Sequence, residues 1–317
     1  MSKLDLLKPF MVAKPEPLIG AKTIQLILMR EILDYTVLRT EETRELNTVA
    51  TPLSVTEGDQ TIVRVAFLAT KQKAAESRQL EQLLRTATSE AGMKPAECYL
   101  KDSLCLQCPR CGLFGATSVE SGKGDRANIK HRVEYSTAFS LLTFADIESS
   151  TTFNAINDAN QTTGQALGSR YAVVPATVFP SIVTLRSVTL NELVLIIKTL
   201  LACKSYGAES RIGGDMRNSI FGIVGGWEEI ITPLELTLEL YDQRTNISGA
   251  TVKTIAEKYK PMTGNPDRVT VLPPEDVDAI VKEVAETKLG KDFLESAYND
   301  VAEYREVQAG RGRRRSR

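Results

Sequence analysis

The residues best suited to chemistry are cysteines. Cys105, Cys108 and Cys111 stand as Cys-x-x-Cys-x-x-Cys inside CLQCPRCGLFG, and Cys98 lies seven residues upstream of the first. Thiolates at this spacing converge on one tetrahedral ion, and Gly112 eases the tight turn. Four soft or borderline ligands, with sulfur at about 2.3 Å, suit zinc. The fourth ligand is either Cys98 or His131, the only histidine in the chain. The same spacing also serves iron–sulfur clusters, and three reduced thiols in a loop are the plain alternative. Such density in a reducing compartment argues against disulfides, and structural zinc is the preferred reading. A closed site of this kind pins an insertion that has too little core of its own. Cys203, at the last turn of a helix, reads as a core residue.

A single histidine removes two-histidine acid–base pairs and multi-histidine metal centres from consideration. No Gly-x-Ser-x-Gly elbow, phosphate-binding P-loop or dinucleotide fingerprint is present. The second chemically suggestive segment is KSYGAESRIGGDMRNSIFGIVGG, Lys204 to Gly226. It carries Lys204, Arg211, Arg217 and Asn218 among six glycines. Glycines let backbone N–H groups approach a phosphate closely, and guanidinium forks bind its oxygens. The plain alternative is a flexible turn with solvated charges. A net charge of −1 does not announce a nucleic-acid binder, but the local field of one surface is what a phosphate meets. The chain ends in a basic tail, 308–317, bearing Arg311, Arg313, Arg314, Arg315 and Arg317, and is expected to be disordered there.

The elements that must position these groups follow from periodicity. Thr23 to Leu33 is almost continuously apolar and predicts a buried strand. Thr61 to Leu68 and Ile182 to Leu185 are β-branched strands. Residues 72–88 place Ala75, Leu80, Leu83 and Leu84 near helical spacing. Thr189-Leu190-Asn191-Glu192 is a capping box opening a helix with a broad apolar face. Arg132 to Leu142 predicts a strand, Tyr206 to Gly226 a loop, and Leu234, Leu236, Leu238 and Leu240 a half-buried strand through their alternation with polar residues. Two helices close the chain, one after Pro273-Pro274 and one from about Asp292. A polar run rich in Ser, Thr, Asn, Gln and Gly spans Glu148 to Ser169. Irregular interspersion of strands and helices predicts an α+β fold. No stretch is long and apolar enough for a transmembrane helix, and the N-terminus lacks the apolar core of a secretion signal, so the cytoplasm is expected.

Taken together, the CLQCPRCGLFGA segment, the RVEYSTAFSL strand and the YGAESRIGGDMRNSIFGIV passage resemble the backbone subunit of type I-D CRISPR interference complexes. That family lies in the superfamily of repeat-associated RNA-binding proteins, and the resemblance runs over nearly the whole chain. It implies one RRM-like (ferredoxin-like) palm over 1–317, with a zinc-bearing insertion at 95–131 and a thumb-like hairpin insertion at 147–170. It also implies copies stacked as a filament along one CRISPR RNA, contact with a target DNA strand, the other subunits of a type I-D effector complex as partners, and no membrane. By that resemblance the loop around Lys204, Arg211, Arg217 and Asn218 lies against the RNA backbone, and Arg30, Arg39 and Arg44 are further RNA contacts. No aromatic RNP motif is visible, so binding through phosphates and 2′-hydroxyls is expected, with bases left free to pair. Related backbone subunits cut target RNA with a loop aspartate. Asp146 and Asp158 are the candidates for such a role, but the expectation is that both are solvated loop acids and the chain is not an enzyme. A zinc hydrolase would need an open metal position, which a thiolate-rich site denies.

Overall fold

The computed structural model describes residues 2–15, 22–39, 45–99, 104–118, 127–156, 159–207 and 214–315. After a 3-10 segment, Lys3–Phe10, the strands are β1 (Thr23–Ile32), β2 (Thr48–Pro52) and β3 (Thr61–Phe67), followed by α1 (Ala69–Glu90). Next come α2 (Pro109–Phe114), β4 (Ala116–Ser118), β5 (Ala127–Ile129), β6 (Val133–Tyr135), β7 (Ala138–Phe139) and α3 (Phe144–Ile147). The hairpin β8 (Glu148–Ile156) and β9 (Thr163–Val173) leads to β10 (Val178–Arg186), α4 (Leu190–Ala202) and β11 (Met216–Gly226). The chain closes with α5 (Pro233–Asp242), α6 (Gly249–Tyr259), β12 (Thr270–Val271), α7 (Pro274–Glu286) and α8 (Lys291–Arg315).

The central sheet has the order β12-β11-β1-β10-β6, every neighbouring pair antiparallel. The mostly apolar run of β1 has a direct cause: helices cover both faces of its sheet. Ile24, Leu26 and Leu28 enter a core shared with α1, α4, α7 and α8, whereas Ile27 and Met29 enter a second core with α5 and α6. Side chains alternate along a strand, so a strand covered on both sides is apolar at most positions, and its polar residues Gln25 and Arg30 are buried with hydrogen-bond partners. A smaller sheet, β2-β3-β7, packs beside the first. No described helix is long and apolar enough to cross a membrane.

Three expectations are corrected. The Leu234–Leu240 alternation is the helix α5: leucines two apart are also four apart, and Leu236 and Leu240 form its buried stripe. Thr232 and Glu235 form a capping box, and Pro233 occupies the first turn, where its missing N–H costs nothing. The strand expected over Arg132 to Leu142 is divided: β6 joins the central sheet and β7 the smaller one. Gln72 Nε2 donates to the Ser136 carbonyl in the break, at 3.1 Å. The second half of the supposed Gly-rich loop is β11, next to the centre of the sheet. Its glycines make room for neighbours, not for phosphate: a Cβ on Gly225 would lie 2.1 Å from the Phe10 ring. The backbone of α8 runs on to Arg315, within the basic tail.

The polar run is a hairpin, with irregular register at Phe153/Asn154 and Asn154/Ile156. Ala172 and Val173 bury its base, while Thr162 and Thr163 near its turn are exposed.

Candidate metal centre and nucleic-acid interface

Cys98 follows α1, Cys108 is the N-cap of α2, and Cys111 lies within that helix. Turns on either side converge the thiols: Leu106 adopts φ +56° and Gly115 φ +84°. Gly112 is not the turn-maker expected from sequence. It is helical, and a Cβ there would meet Val301 of α8 at 3.0 Å. The sulfurs of Cys98, Cys105, Cys108 and Cys111 all lie within 4.8 Å of one another. Cys98 Sγ is 3.5 Å and Cys105 Sγ 4.0 Å from Cys111 Sγ. A tetrahedron with zinc–sulfur bonds of about 2.3 Å has edges of about 3.8 Å, so the donor set fits such an ion.

Hydrogen bonding with Cys108 leads in drawing the Cys105 thiol down to about 7, while bonding with Cys105 leads in pushing Cys108 and Cys111 up. Three of the cysteines are buried, and Val301, Tyr304 and Tyr298 of α8 pack against the group. His131 is not a member. It lines a separate cavity of about 320 Å³ with Lys73, Glu134 and Glu229.

The basic candidates divide sharply. Arg30 is fully buried. Its Nη1 donates to Glu76 at 2.6 Å, Asn218 Oδ1 at 2.9 Å and the Tyr206 hydroxyl at 3.1 Å, and its Nε to Ser181 at 2.8 Å. Glu76 accepts further bonds from the hydroxyls of Tyr206 and Tyr135. Burial opposes the charge on Arg30, but the Glu76 carboxylate together with Tyr206 and Tyr135 outweighs it and holds the guanidinium pKa above its ordinary value. Asn218 is also buried, and its amide donates to the Leu200 and Cys203 carbonyls at the end of α4. Arg30 and Asn218 are therefore interior residues, out of reach of a polyanion in this fold. The reason is positional: Arg30 lies opposite Asn218 across the β1–β11 pair.

Arg217, one residue before Asn218, points the other way. It is exposed and pairs with Glu31. Lys204 is exposed and Arg39 half-buried. Arg44 and Arg211 lie outside the described residues, as does Asp158, while Asp146 is exposed in the first turn of α3.

Several of these segments meet at the end of β1. Thr36 exchanges backbone bonds with Val173 at the hairpin base, at 3.0 and 2.8 Å. Leu33 N–H donates to the Asp215 carbonyl at 2.8 Å, and Ser205 pairs with Asp215 across the mouth of the 204–215 segment. The hairpin, the 204–215 segment and the stretch leading to Arg39 thus spring from one place.

The sequence reading missed four buried cations, Arg64, Arg110, Arg132 and Arg170. Arg132 pairs with Glu192, whose carboxylate also closes the capping box on the Thr189 N–H. Arg64 donates to the Ser140 and Leu141 carbonyls, and burial lowers its pKa to about 10. The capping-box glutamate was legible in sequence, but its distant partner was not.

Comparison with known proteins agrees with this architecture. The crystal structure of Thermofilum pendens Csc2 superposes with a TM-score of 0.65, at 22% identity, over 96% of each chain. A chain from a CRISPR RNA-guided surveillance complex in a pre-nicking state gives a TM-score of 0.52 at 10% identity, over 83% of this chain and 99% of that one. At those identities the likeness is one of fold. No curated protein sequence matches the chain. The sequence profile described as Csc2 Crispr matches residues 10–298, a span containing the central sheet, the cysteine cluster and the hairpin. This chain belongs to the Csc2 CRISPR family.

Proposed function

We propose that this chain is an RNA-binding backbone subunit of a type I-D CRISPR effector complex in the cytoplasm, one that oligomerises along the guide RNA without cutting. The observation that carries the reading is the gathering at one end of β1 of the polar β8–β9 hairpin, the 204–215 segment and the approach to Arg39, in a member of a CRISPR family. In this reading the path β1-α1-β6-β10-α4-β11, with sheet order β11-β1-β10-β6, is a ferredoxin-like (RRM-like) palm. The hairpin is the thumb that meets the target DNA strand.

Lys204, Arg211 and Arg217, with Arg39 and Arg44, supply the phosphate contacts. The exposed Arg217–Glu31 pair is no obstacle, since such pairs are worth about 0–1 kcal/mol and yield to a polyanion. The four cysteines hold a structural zinc ion that fixes their insertion against α8. When bound, that ion supplies cohesion to a segment with little core of its own.

The test is binding of single-stranded RNA across a salt series, comparing wild type with Arg211→Ala/Arg217→Ala. Sequence-indifferent binding is expected, with log affinity falling linearly in log salt. The slope should flatten by about one unit per phosphate contact removed. Binding left unchanged by the double substitution would take these arginines out of the interface.

A further inference from the structure

Arg110 lies between Cys108 and Cys111, yet only 2% of it is exposed. Its Nε donates to Ser77 Oγ of α1 at 2.9 Å, and its Nη1 lies 3.7 Å from Cys98 Sγ. Among the described residues no carboxylate pairs with it. A buried guanidinium without an anionic partner is costly: this chain buries Arg30 and Arg132 against Glu76 and Glu192, and Arg64 among the Leu53, Ser140 and Leu141 carbonyls, whereas Arg110 has neither. Among the described residues, the groups beside Arg110 that can carry compensating charge are the thiols. The thiols have the opposite deficit, because four thiolates around a divalent ion leave negative charge in excess in a site that excludes water.

We infer that Arg110 is the built-in counter-charge of the cysteine cluster, a positioning residue that holds Cys98 as the fourth thiolate and sets the affinity of the site for its metal. The inference rests on the metal reading above and adds the source of its charge balance. The arginine is permanently charged and spans two elements: its Ser77 bond fixes the guanidinium plane against α1 while the other end of the fork faces sulfur. Helix α1 serves the cluster again two turns on, where Arg85 Nη2 donates to the Cys98 carbonyl at 2.8 Å. Ser77, Glu81 and Arg85 recur every four residues, so one stripe of α1 supports the cluster.

The experiment measures zinc stoichiometry and affinity of the full chain by competition with a chromophoric chelator, together with the absorption spectrum of the cobalt-substituted protein. Wild type should hold one ion per chain. Arg110→Gln, which keeps a hydrogen-bonding end but loses the charge, should bind zinc about 10–100-fold more weakly. Its sulfur-to-cobalt charge-transfer bands should move to longer wavelength, because a thiolate without the adjacent cation gives up electron density more easily. Arg110→Lys should restore most of the affinity. Ser77→Ala keeps the charge and loses one hydrogen bond of the guanidinium, so it should weaken zinc binding less than Arg110→Gln does. Ser77→Ala and Arg110→Lys also carry the test if Arg110→Gln does not fold, and weakening of both to the edge of metal loss would overturn the inference. Wild-type affinity and spectrum in Arg110→Gln would overturn it while leaving the metal reading intact. A wild-type chain that takes up no zinc would instead refute the metal reading itself.

Discussion

Replacing Arg30 by Met should damage the fold and leave the RNA-binding surface alone. The side chain has no exposed surface and donates four hydrogen bonds, to Ser181, Glu76, Tyr206 and Asn218. Methionine fills similar volume, so the lost packing is small. The cost comes from Glu76, also fully buried, whose carboxylate would keep only the Tyr206 and Tyr135 hydroxyls. Removing one partner of a buried ion pair costs about 3–5 kcal/mol. That is a large part of the 5–15 kcal/mol typical of a folded domain. Urea denaturation followed by circular dichroism should report this loss as a lowered midpoint. Arg30→Met/Glu76→Gln should recover part of it, because the orphaned charge is gone and its neighbours can still bond an amide. RNA affinity, corrected for the folded fraction, should match wild type in both variants. A loss below about 1 kcal/mol, or weakened RNA binding with stability intact, would refute the assignment of Arg30 to the interior.

Three further outcomes follow from the same structure. Stripping metal from the cysteine cluster with a strong chelator should lower the melting temperature and raise protease sensitivity in α8, since Val301 and Tyr304 pack directly on the thiols; limited proteolysis read by mass spectrometry would locate the cuts. Gly225→Ala should destabilise the chain by about 1–3 kcal/mol, as overpacking does, because the new methyl would collide with the Phe10 ring; a thermal melt equal to wild type would contradict this. Stability should fall as pH rises above about 10. Burial, and then the Glu76 carboxylate, raises the Tyr135 and Tyr206 phenols well above their ordinary pKa. A raised pKa contributes stability that is complete below the unfolded value and is lost as pH climbs toward the folded one. The alkaline limb of the stability curve should accordingly flatten in Tyr135→Phe/Tyr206→Phe.

Local chemistry was readable without coordinates. The Cys-x-x-Cys-x-x-Cys spacing, the Thr189 and Glu192 capping box, the Pro273-Pro274 helix start and the apolar run of β1 each depend on neighbours a few residues away. All reappear in the structure where they were expected. The Leu234–Leu240 segment shows where such reading fails. Its spacing satisfies a strand and a helix equally, and the capping residues Thr232 and Glu235 decide between them.

What only the tertiary structure decided was the fate of each charge. Arg217 and Asn218 are adjacent in sequence, yet one faces solvent and the other lies in the core, because a strand turns successive side chains to opposite faces. Arg30 reads as a surface cation until Glu76, forty-six residues away, is brought beside it by the packing of α1 on the sheet. Cys98 rather than His131 completes the cysteine cluster because α2 and the segment after α1 meet over Ser77 and Arg85, while His131 lines a separate cavity with Lys73 and Glu134. Sequence spacing limits which donors can meet. Burial decides which charges must find partners, and that depends on elements the local sequence does not contain.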